Sequence, residues 1–325
     1  MNDRKEITVS VILLTYNHAP YIRQAVESIL RQQTAFPLEI LIGDDCSTDG
    51  TDRIVEDYAR QYPGLVIPVI RPENIGATAN LYDLISRARG AYLAYLEGDD
   101  LWSCDEKLQR QVDFLREHPL YVGCTHEIGT LRRDGTPCRE QIHWISPKNH
   151  YSLADYDGVR LPGHGNSLVH RNFFRDSEDR YRAMMTLHPM IADRMLALLL
   201  VSFGPVYRLP EQMGYYRLPA AEHDSATAVL FDTNPRRTLD DYLLTRKIES
   251  CAHDDLKIPA DLRPQRRQLL FEALWTALRR PGKEQQQIAV QILRMEHSPA
   301  AIWFVFKSIA GKIAGKLGDF FKKGR

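Results

Sequence analysis

The sequence predicts an α/β fold: a doubly wound, mostly parallel sheet followed by a helical C-terminal extension. Three observations lead there. Residues 7–96 alternate short apolar runs with stretches of helical periodicity. A polar cluster follows each of the four apolar runs. From Asp232 onward the pattern is helical, punctuated by Pro259, Pro264, Pro281-Gly282 and Pro299. Strand–helix alternation at such spacing implies parallel strands with helices on both faces.

Ile7–Leu14 reads as a buried first strand. Pro20 suits a first helical turn, and Ile22, Ala25/Val26 and Ile29 repeat at helical spacing. Leu38–Gly43 is the second strand. Asp49 or Thr51 then caps a helix carrying Ile54/Val55, Tyr58 and Tyr62. Leu65–Ile70 is the third strand, and Pro68, which has no N–H to donate, places it at an edge. A helix over Thr78–Ala88 leads to the fourth strand, Ala91–Leu96. A helix at Asp105–Glu117 and a strand at Tyr121–Glu127 follow, then a turn at Arg133-Asp134-Gly135-Thr136. Asn172 is placed to cap a short helix. Met190–Ser202 is a helix ended by Gly204, with short strands at Val206–Leu209 and Gly214–Arg217.

Ligands of doubly wound sheets bind beyond the carboxyl ends of the strands. The residues at those ends are Thr15-Tyr16-Asn17, Asp44-Asp45-Cys46-Ser47, Arg71 to Gly76, and Glu97-Gly98-Asp99-Asp100. One such cluster is an ordinary turn; four together mark a site. Composition narrows its ligand. Lys+Arg and Asp+Glu both number 42, which argues against a general nucleic-acid binder. The five cysteines (46, 104, 124, 138, 251) form no CxxC pair, so neither zinc nor a disulfide framework is indicated and a reducing compartment is expected. The N-terminal apolar run ends in polar Thr15-Tyr16-Asn17 with no small-residue cleavage site, as a first strand does and a signal peptide does not. The longest uncharged apolar stretch, Met195–Tyr207, is too short to span a bilayer.

Glu97, Asp99 and Asp100 place three carboxylates within four residues after an apolar run. Hard divalent cations take carboxylate oxygens and commonly bridge phosphates of a bound nucleotide. No G-x-G-x-x-G follows the first strand and no G-x-x-x-x-G-K-[ST] occurs, so a glycine-rich phosphate cradle is missing and a metal is the natural substitute.

The segments VSVILLTYNHAPYIRQAVESILRQ, LEILIGDDCSTDGT, ENIGATANL and GAYLAYLEGDDLW, in this order and spacing, resemble the N-terminal half of family-2 inverting glycosyltransferases. The likeness is close from Thr8 to Leu115, looser to Arg217, and absent beyond. It implies a GT-A-type fold and a nucleotide-sugar donor, with Mn²⁺ or Mg²⁺ as cofactor. Thr15, Tyr16 and Asn17 match the segment around the base, Asp45 and Asp44 the acids that read it, and Asn74, Gly76 and Asn80 the nucleotide-side loop. Asp99 and Glu97 fall on the metal-binding D-x-D positions, with Glu standing where Asp is usual; Asp100 is a sugar-contacting or supporting acid. His223, in a loop after Tyr216-Arg217, matches a diphosphate- or metal-contacting histidine.

Inverting transfer needs a carboxylate to take the acceptor hydroxyl proton. The family's base opens a helix that runs about a dozen residues to a glycine. Asp193 lies 11 positions before Gly204 and Asp179 lies 25, so spacing selects Asp193 over the Glu178-Asp179 pair. An acid there also suits a helix first turn on dipole grounds alone. Trp102, His164 and Asn166 are candidates for the acceptor side, although Trp102 suits packing behind the site better and the glycines of PGHGNS equally suit a plain turn.

The expected organisation is a catalytic domain over 1–230, a helical extension over 231–300, and a basic amphipathic helix over 301–325. The last segment holds six basic residues and one acid, Asp319, and a stripe of Ile302, Phe306, Ile309, Ile313, Leu317 and Phe320. It reads either as a helix on an anionic membrane surface or as one packed on its own domain. The expected protein is a metal-dependent transferase, cytoplasmic or peripheral on the cytoplasmic face of the membrane. It moves a sugar, from UDP by expectation, to a glycan or lipid-linked acceptor in cell-surface polysaccharide synthesis. The Q-x-x-R-W signature of processive synthases is missing, which favours single additions. A sugar-phosphate nucleotidyltransferase would want glycine and Lys/Arg where TYNHAP stands, and an inactive scaffold would not need Asp99 and Asp193.

Overall fold

The computed structural model describes residues 6–175, 179–189, 191–218, 236–279, 282–296 and 298–310. Backbone contacts divide the chain into two units, Met1–Ala220 and Ala221–Arg325.

The first unit is built on a mixed sheet. In chain order its strands are β1 Val9–Thr15, β2 Leu38–Asp44, β3 Val66–Ile70, β4 Tyr92–Glu97, β5 Leu101–Trp102, β6 Gly123–Leu131, β7 Pro137–Cys138, β8 His150–Tyr151, β9 Val169–Arg171 and β10 Val206–Arg217. The spatial order is β3-β2-β1-β4-β9-β6-β10-β5, with β7 added to β6 and β8 to β10. The four strands expected from the alternation are parallel to one another, and β3 is the edge that Pro68 predicts. The order reverses at β1, between β2 and β4, which is where such sheets bind ligands. β9 then runs antiparallel to both β4 and β6 and closes the parallel half.

The helices of this unit are α1 Ile22–Leu30, α2 Thr51–Gln61, α3 Ala77–Arg87, α4 Lys107–Glu117, α5 Arg182–Met185 and α6 Asp193–Phe203. Val9, Val11 and Leu13 of β1 share one buried cluster with Ile22, Val26 and Ile29 of α1, Val55 of α2 and Val112 of α4. α3 packs on β2 at Gly43, where an added Cβ would meet the Asn80 and Leu84 side chains at 3.0 Å or less. Across the amino ends of β1, β2 and β4, buried Glu39 accepts from Ser10 Oγ (2.6 Å) and from Arg89, while Gly90 N–H donates to Ser10 Oγ at 2.8 Å.

Three local expectations are corrected. Pro20 lies in the turn before α1, whose N-cap is Tyr21, not in its first helical turn. Asn172 Oδ1 accepts from Phe174 N–H at 3.2 Å, but it caps a turn and no helix follows directly. The two short strands expected after Gly204 are one strand, β10. Its register against β6 slips between Leu209 and Gly214, letting Pro210 pass without an N–H and keeping both ends paired.

The second unit is helical: α7 Arg237–Asp254, α8 Arg263–Arg279, α9 Lys283–Met295 and a helix at 299–310. Leu239, Tyr242, Leu270, Phe271, Ile288, Ile292, Ala301 and Val305 form its core. Arg266 pairs with Glu249 and with Glu296 (3.1 Å), and Tyr242 OH donates to Glu296 at 3.0 Å. Of the apolar stripe expected here, Ile309 packs on this core while Ile302 and Phe306 are exposed; residues 311–325 lie outside the described residues. No helix among the described residues is long and apolar enough to cross a membrane. All five cysteines are free.

Candidate active site

β4 is apolar and buried through Leu93, Ala94 and Leu96, then turns sharply at Glu97-Gly98-Asp99-Asp100. Gly98 N–H donates to Leu14 O (2.8 Å) and Asp100 N–H to Glu97 O (3.0 Å), so the turn is stitched to the end of β1. Only glycine fits the second position. A Cβ on Gly98 would lie 2.7 Å from both Thr15 Oγ1 and His18 Nδ1.

This turn sends its carboxylates in two directions. Asp100 points inward and is 2 % exposed. Its Oδ1 accepts from Arg217 N–H (2.8 Å) and its Oδ2 from Asn166 Nδ2 (2.9 Å). Burial, with the Asp99 and Glu97 charges adding, holds it well above the usual carboxylate range. Asp99 and Glu97 face the cleft. Asp99 Oδ2 lies 3.9 Å from His18 Nε2, while Asp99 Oδ1, Thr15 Oγ1 and His18 Nδ1 are buried atoms with no hydrogen-bond partner. Glu97 is reached by solvent, yet the crowded protein around it strips hydration. That desolvation, then the charges of Asp99 and Asp193, push its pKa up.

Asp193 is therefore brought to the same cleft. It opens α6, whose next eight residues are buried, and it is the acid of that helix's first turn. Desolvation raises its pKa, opposed by Arg194 and His188. Asp179 is 14 residues earlier and accepts from Tyr82 OH at 3.0 Å, on α3. Ile191 N–H donates to His188 Nδ1 (3.1 Å), and Pro189 O accepts from Thr78 N–H (3.1 Å) at the start of α3, so the segment entering α6 is tied to the loop before α3.

That loop is shaped by the end of β2. Asp45 is 4 % exposed and accepts with both oxygens, from Ile75 N–H (2.8 Å) and Gly76 N–H (2.9 Å). Its backbone carbonyl accepts from Asn74 Nδ2 at 3.1 Å. Each carboxylate oxygen keeps a second lone pair for a ligand N–H. Asp44 is fully buried and is raised by burial; it accepts from Ser47 Oγ and from Ser47 N–H (3.0 Å). Asn80 is buried too, donating to Gly43 O (2.9 Å) and accepting from Arg71. Gly76 sits at φ +87°, a left-handed conformation that side chains resist, and its Cβ would press on Pro189 O at 3.2 Å. Thr15 is 3 % exposed, whereas Tyr16 is 47 % exposed beside Asn17, whose Oδ1 accepts from Thr48 N–H (2.9 Å).

The acceptor-side candidates are buried. Trp102 has no exposed surface; its indole N–H donates to Asn166 O (2.9 Å) and Lys107 Nζ lies 4.1 Å over its ring. Asn166 Nδ2 also donates to Tyr215 O at 3.0 Å. His164 is packed on Tyr216 with ring centroids 4.4 Å apart, and burial lowers its pKa to about 4. Asn166 and Trp102 therefore buttress Asp100 from behind. His223 lies outside the described residues.

Two cleft residues escaped sequence reasoning. His18 overhangs Gly98, and its only signal was its place three positions after Thr15. Arg217 is 3 % exposed and holds the acidic turn from below, donating from Nε to Asp99 O (2.8 Å) and from Nη2 to Gln24 Oε1 (3.0 Å), with its guanidinium 4.6 Å over the Tyr21 ring.

Among the described residues no three His, Cys, Asp or Glu side chains converge as a ready metal cage. The free oxygen of Asp99, with Glu97 in the same turn, fits a cation that takes its remaining ligands from a bound diphosphate.

Comparison with known proteins agrees with this geometry. A 214-residue stretch is 36 % identical to the uncharacterized protein Rv1520 of Mycobacterium tuberculosis, covering 64 % of this chain and 58 % of that protein. A 135-residue stretch is 38 % identical to the putative teichuronic acid biosynthesis glycosyltransferase TuaG of Bacillus subtilis, covering 42 % of this chain and 52 % of TuaG. The chain thus spans only a little over half the length of these relatives. S. aureus TarS, solved with UDP-GlcNAc, superposes with a TM-score of 0.62 at 17 % identity over 88 % of this chain and 80 % of that one, which gives the GT-A fold. The model for glycosyl transferase family 2 matches residues 10–177, more than half of the sequence, and the chain belongs to that family.

Proposed function

We propose that this chain is an inverting, non-processive glycosyltransferase that moves a sugar from a UDP-linked donor to a glycan or lipid-linked acceptor in cell-surface polysaccharide synthesis, at the cytoplasmic face of the membrane. The carrying observation is the acidic turn at the carboxyl end of β4, where Asp99 keeps an oxygen without a partner beside Glu97, next to the point at which the strand order reverses. The teichuronic acid assignment of TuaG and the UDP-GlcNAc bound to TarS support the donor and pathway classes.

Asp193 acts as the base. An acceptor hydroxyl attacks the anomeric carbon from the face opposite the diphosphate. As the new C–O bond forms, the bond to the diphosphate oxygen breaks and the hydroxyl proton passes to Asp193. Its raised pKa makes it a stronger base than an ordinary aspartate. Asp99 and Glu97 would hold Mn²⁺ or Mg²⁺, which when bound neutralises charge on the departing diphosphate. Asp45 and the loop it holds at Ile75 and Gly76 would meet the base, and Asp45's spare lone pairs would accept a ring N–H.

The test is incubation with a panel of nucleotide sugars plus Mn²⁺ or Mg²⁺ and an assay for free nucleoside diphosphate. Release that depends on the cation and is lost in Asp99→Ala supports the reading. Release untouched by Asp99→Ala sinks the metal assignment, and pyrophosphate-dependent formation of a nucleoside triphosphate would make the protein a nucleotidyltransferase instead.

A further inference from the structure

The helix at 299–310 has two apolar faces, and only one is used. Ala301 and Val305 are buried in the core of the second unit, with Phe304 and Ile309 packed against it. Ile302, Trp303 and Phe306 are 51 %, 60 % and 65 % exposed. The Trp303 and Phe306 rings stack, 6.0 Å between centroids and 16° between planes. Scattered single apolar side chains on a surface need no explanation, but three adjoining ones form a patch. Six large apolar side chains among the described residues are at least half exposed, and three of them are these.

Charge identifies what covers the patch. Lys307 follows it on the same helix, and the sequence then supplies Lys312, Lys316, Lys322, Lys323 and Arg325 against the single Asp319. The occupant must therefore present negative charge at its surface and apolar matter beneath. A second copy of this chain would bring two basic segments of the same sign together at the contact, which opposes association. A bilayer with anionic headgroups meets both demands, and tryptophan is the side chain that favours its interface.

We propose that the 299–310 helix docks this protein on anionic phospholipid bilayers, with Ile302, Trp303 and Phe306 entering the interface and Lys307 beside them contacting headgroups. The proposal does not depend on which donor or acceptor the first unit uses. It does place the cleft-bearing chain at the surface where a lipid-linked acceptor would be found.

The test uses the full chain and vesicles of phosphatidylglycerol with phosphatidylcholine, beside vesicles of phosphatidylcholine alone. The wild-type protein should float with the anionic vesicles and not with the neutral ones, and salt should weaken the binding because headgroup attraction is screened within about 10 Å at 0.1 M ionic strength. The triple variant I302S/W303S/F306S should bind at least about tenfold more weakly. Its far-UV circular dichroism and Tm should match the wild type, because all three side chains are already exposed. Trp303→Phe should remove the blue shift of tryptophan emission on vesicle addition. Equal flotation of the triple variant and the wild type would overturn the proposal. So would a dimer in solution that the triple variant converts to monomer without any change in vesicle binding, since the patch would then join two copies.

Discussion

The carboxyl ends of β2 and β4 carry acids in similar number and use them in opposite ways. At β2 every carboxylate is engaged by the protein: Asp44 by Ser47, Asp45 by two loop amides. At β4 only Asp100 is hydrogen-bonded on both oxygens, while Asp99 leaves an oxygen with no partner and Glu97 is reached by solvent. A satisfied acid builds the rim of the cleft; an unsatisfied one waits for something positive. Buried polar atoms almost always find partners within a folded chain, and here three unpartnered ones, on Thr15, His18 and Asp99, fall together around Gly98.

Substitutions should separate the two classes. The largest effect is expected at Asp193. Asp193→Asn should lower kcat by roughly 10³–10⁴-fold, the upper part of the general-base range, with Tm nearly unchanged. The wild-type rate should also fall as pH drops through the Asp193 pKa, because only the ionised form accepts a proton. Desolvation places that limb above the ordinary aspartate value, and a pH–rate profile of kcat/KM would locate it. A limb at the ordinary value would remove Asp193 from the role.

Asp99→Ala should cost about 10³-fold in rate, several kcal/mol of charge stabilisation, and should also abolish Mn²⁺ binding measured by calorimetry with UDP present. Asp99→Ala retaining wild-type Mn²⁺ affinity would erase the distinction drawn between the two ends of the sheet. His18→Ala should weaken Mn²⁺–UDP binding by about tenfold, as expected for a group that orients a ligand carboxylate. The same substitution should leave Tm unaltered, since His18 Nδ1 makes no hydrogen bond that could be lost.

Asp100→Ala tests the opposite class. It strands Arg217 N–H and one of the two Asn166 Nδ2 hydrogens, so stability should drop by roughly 2 kcal/mol, a Tm decrease of about 4–8 °C. Unchanged Tm in thermal denaturation would remove Asp100 from the frame.

Much of the first unit was legible because its strands are short apolar runs with sharp polar ends. Pro68 announced an edge strand, and the glycine after α6 set the distance back to Asp193. What a linear pattern cannot carry is direction. Asp99 and Asp100 are neighbours of the same chemical type, and only the turn around Gly98 sends one outward and one in. Trp102 next to three acids reads from sequence as packing behind the site before it reads as a sugar platform, and its burial under Lys107 follows from packing between α1, α4 and the Asn166 turn. Arg217 reaches the acidic turn across more than a hundred residues of sequence, a distance no local motif encodes. In the second unit, helical periodicity was clear, but the sequence could not say which of two apolar faces on 299–310 the core would claim.

The hydrogen bond from Thr78 N–H to Pro189 O has a kinetic meaning. It joins the loop held by Asp45 to the segment that delivers Asp193. Filling the nucleotide side first would steady that segment further before an acceptor arrives. Initial-velocity and product-inhibition patterns should then be those of an ordered sequential mechanism, with donor on first and nucleoside diphosphate off last.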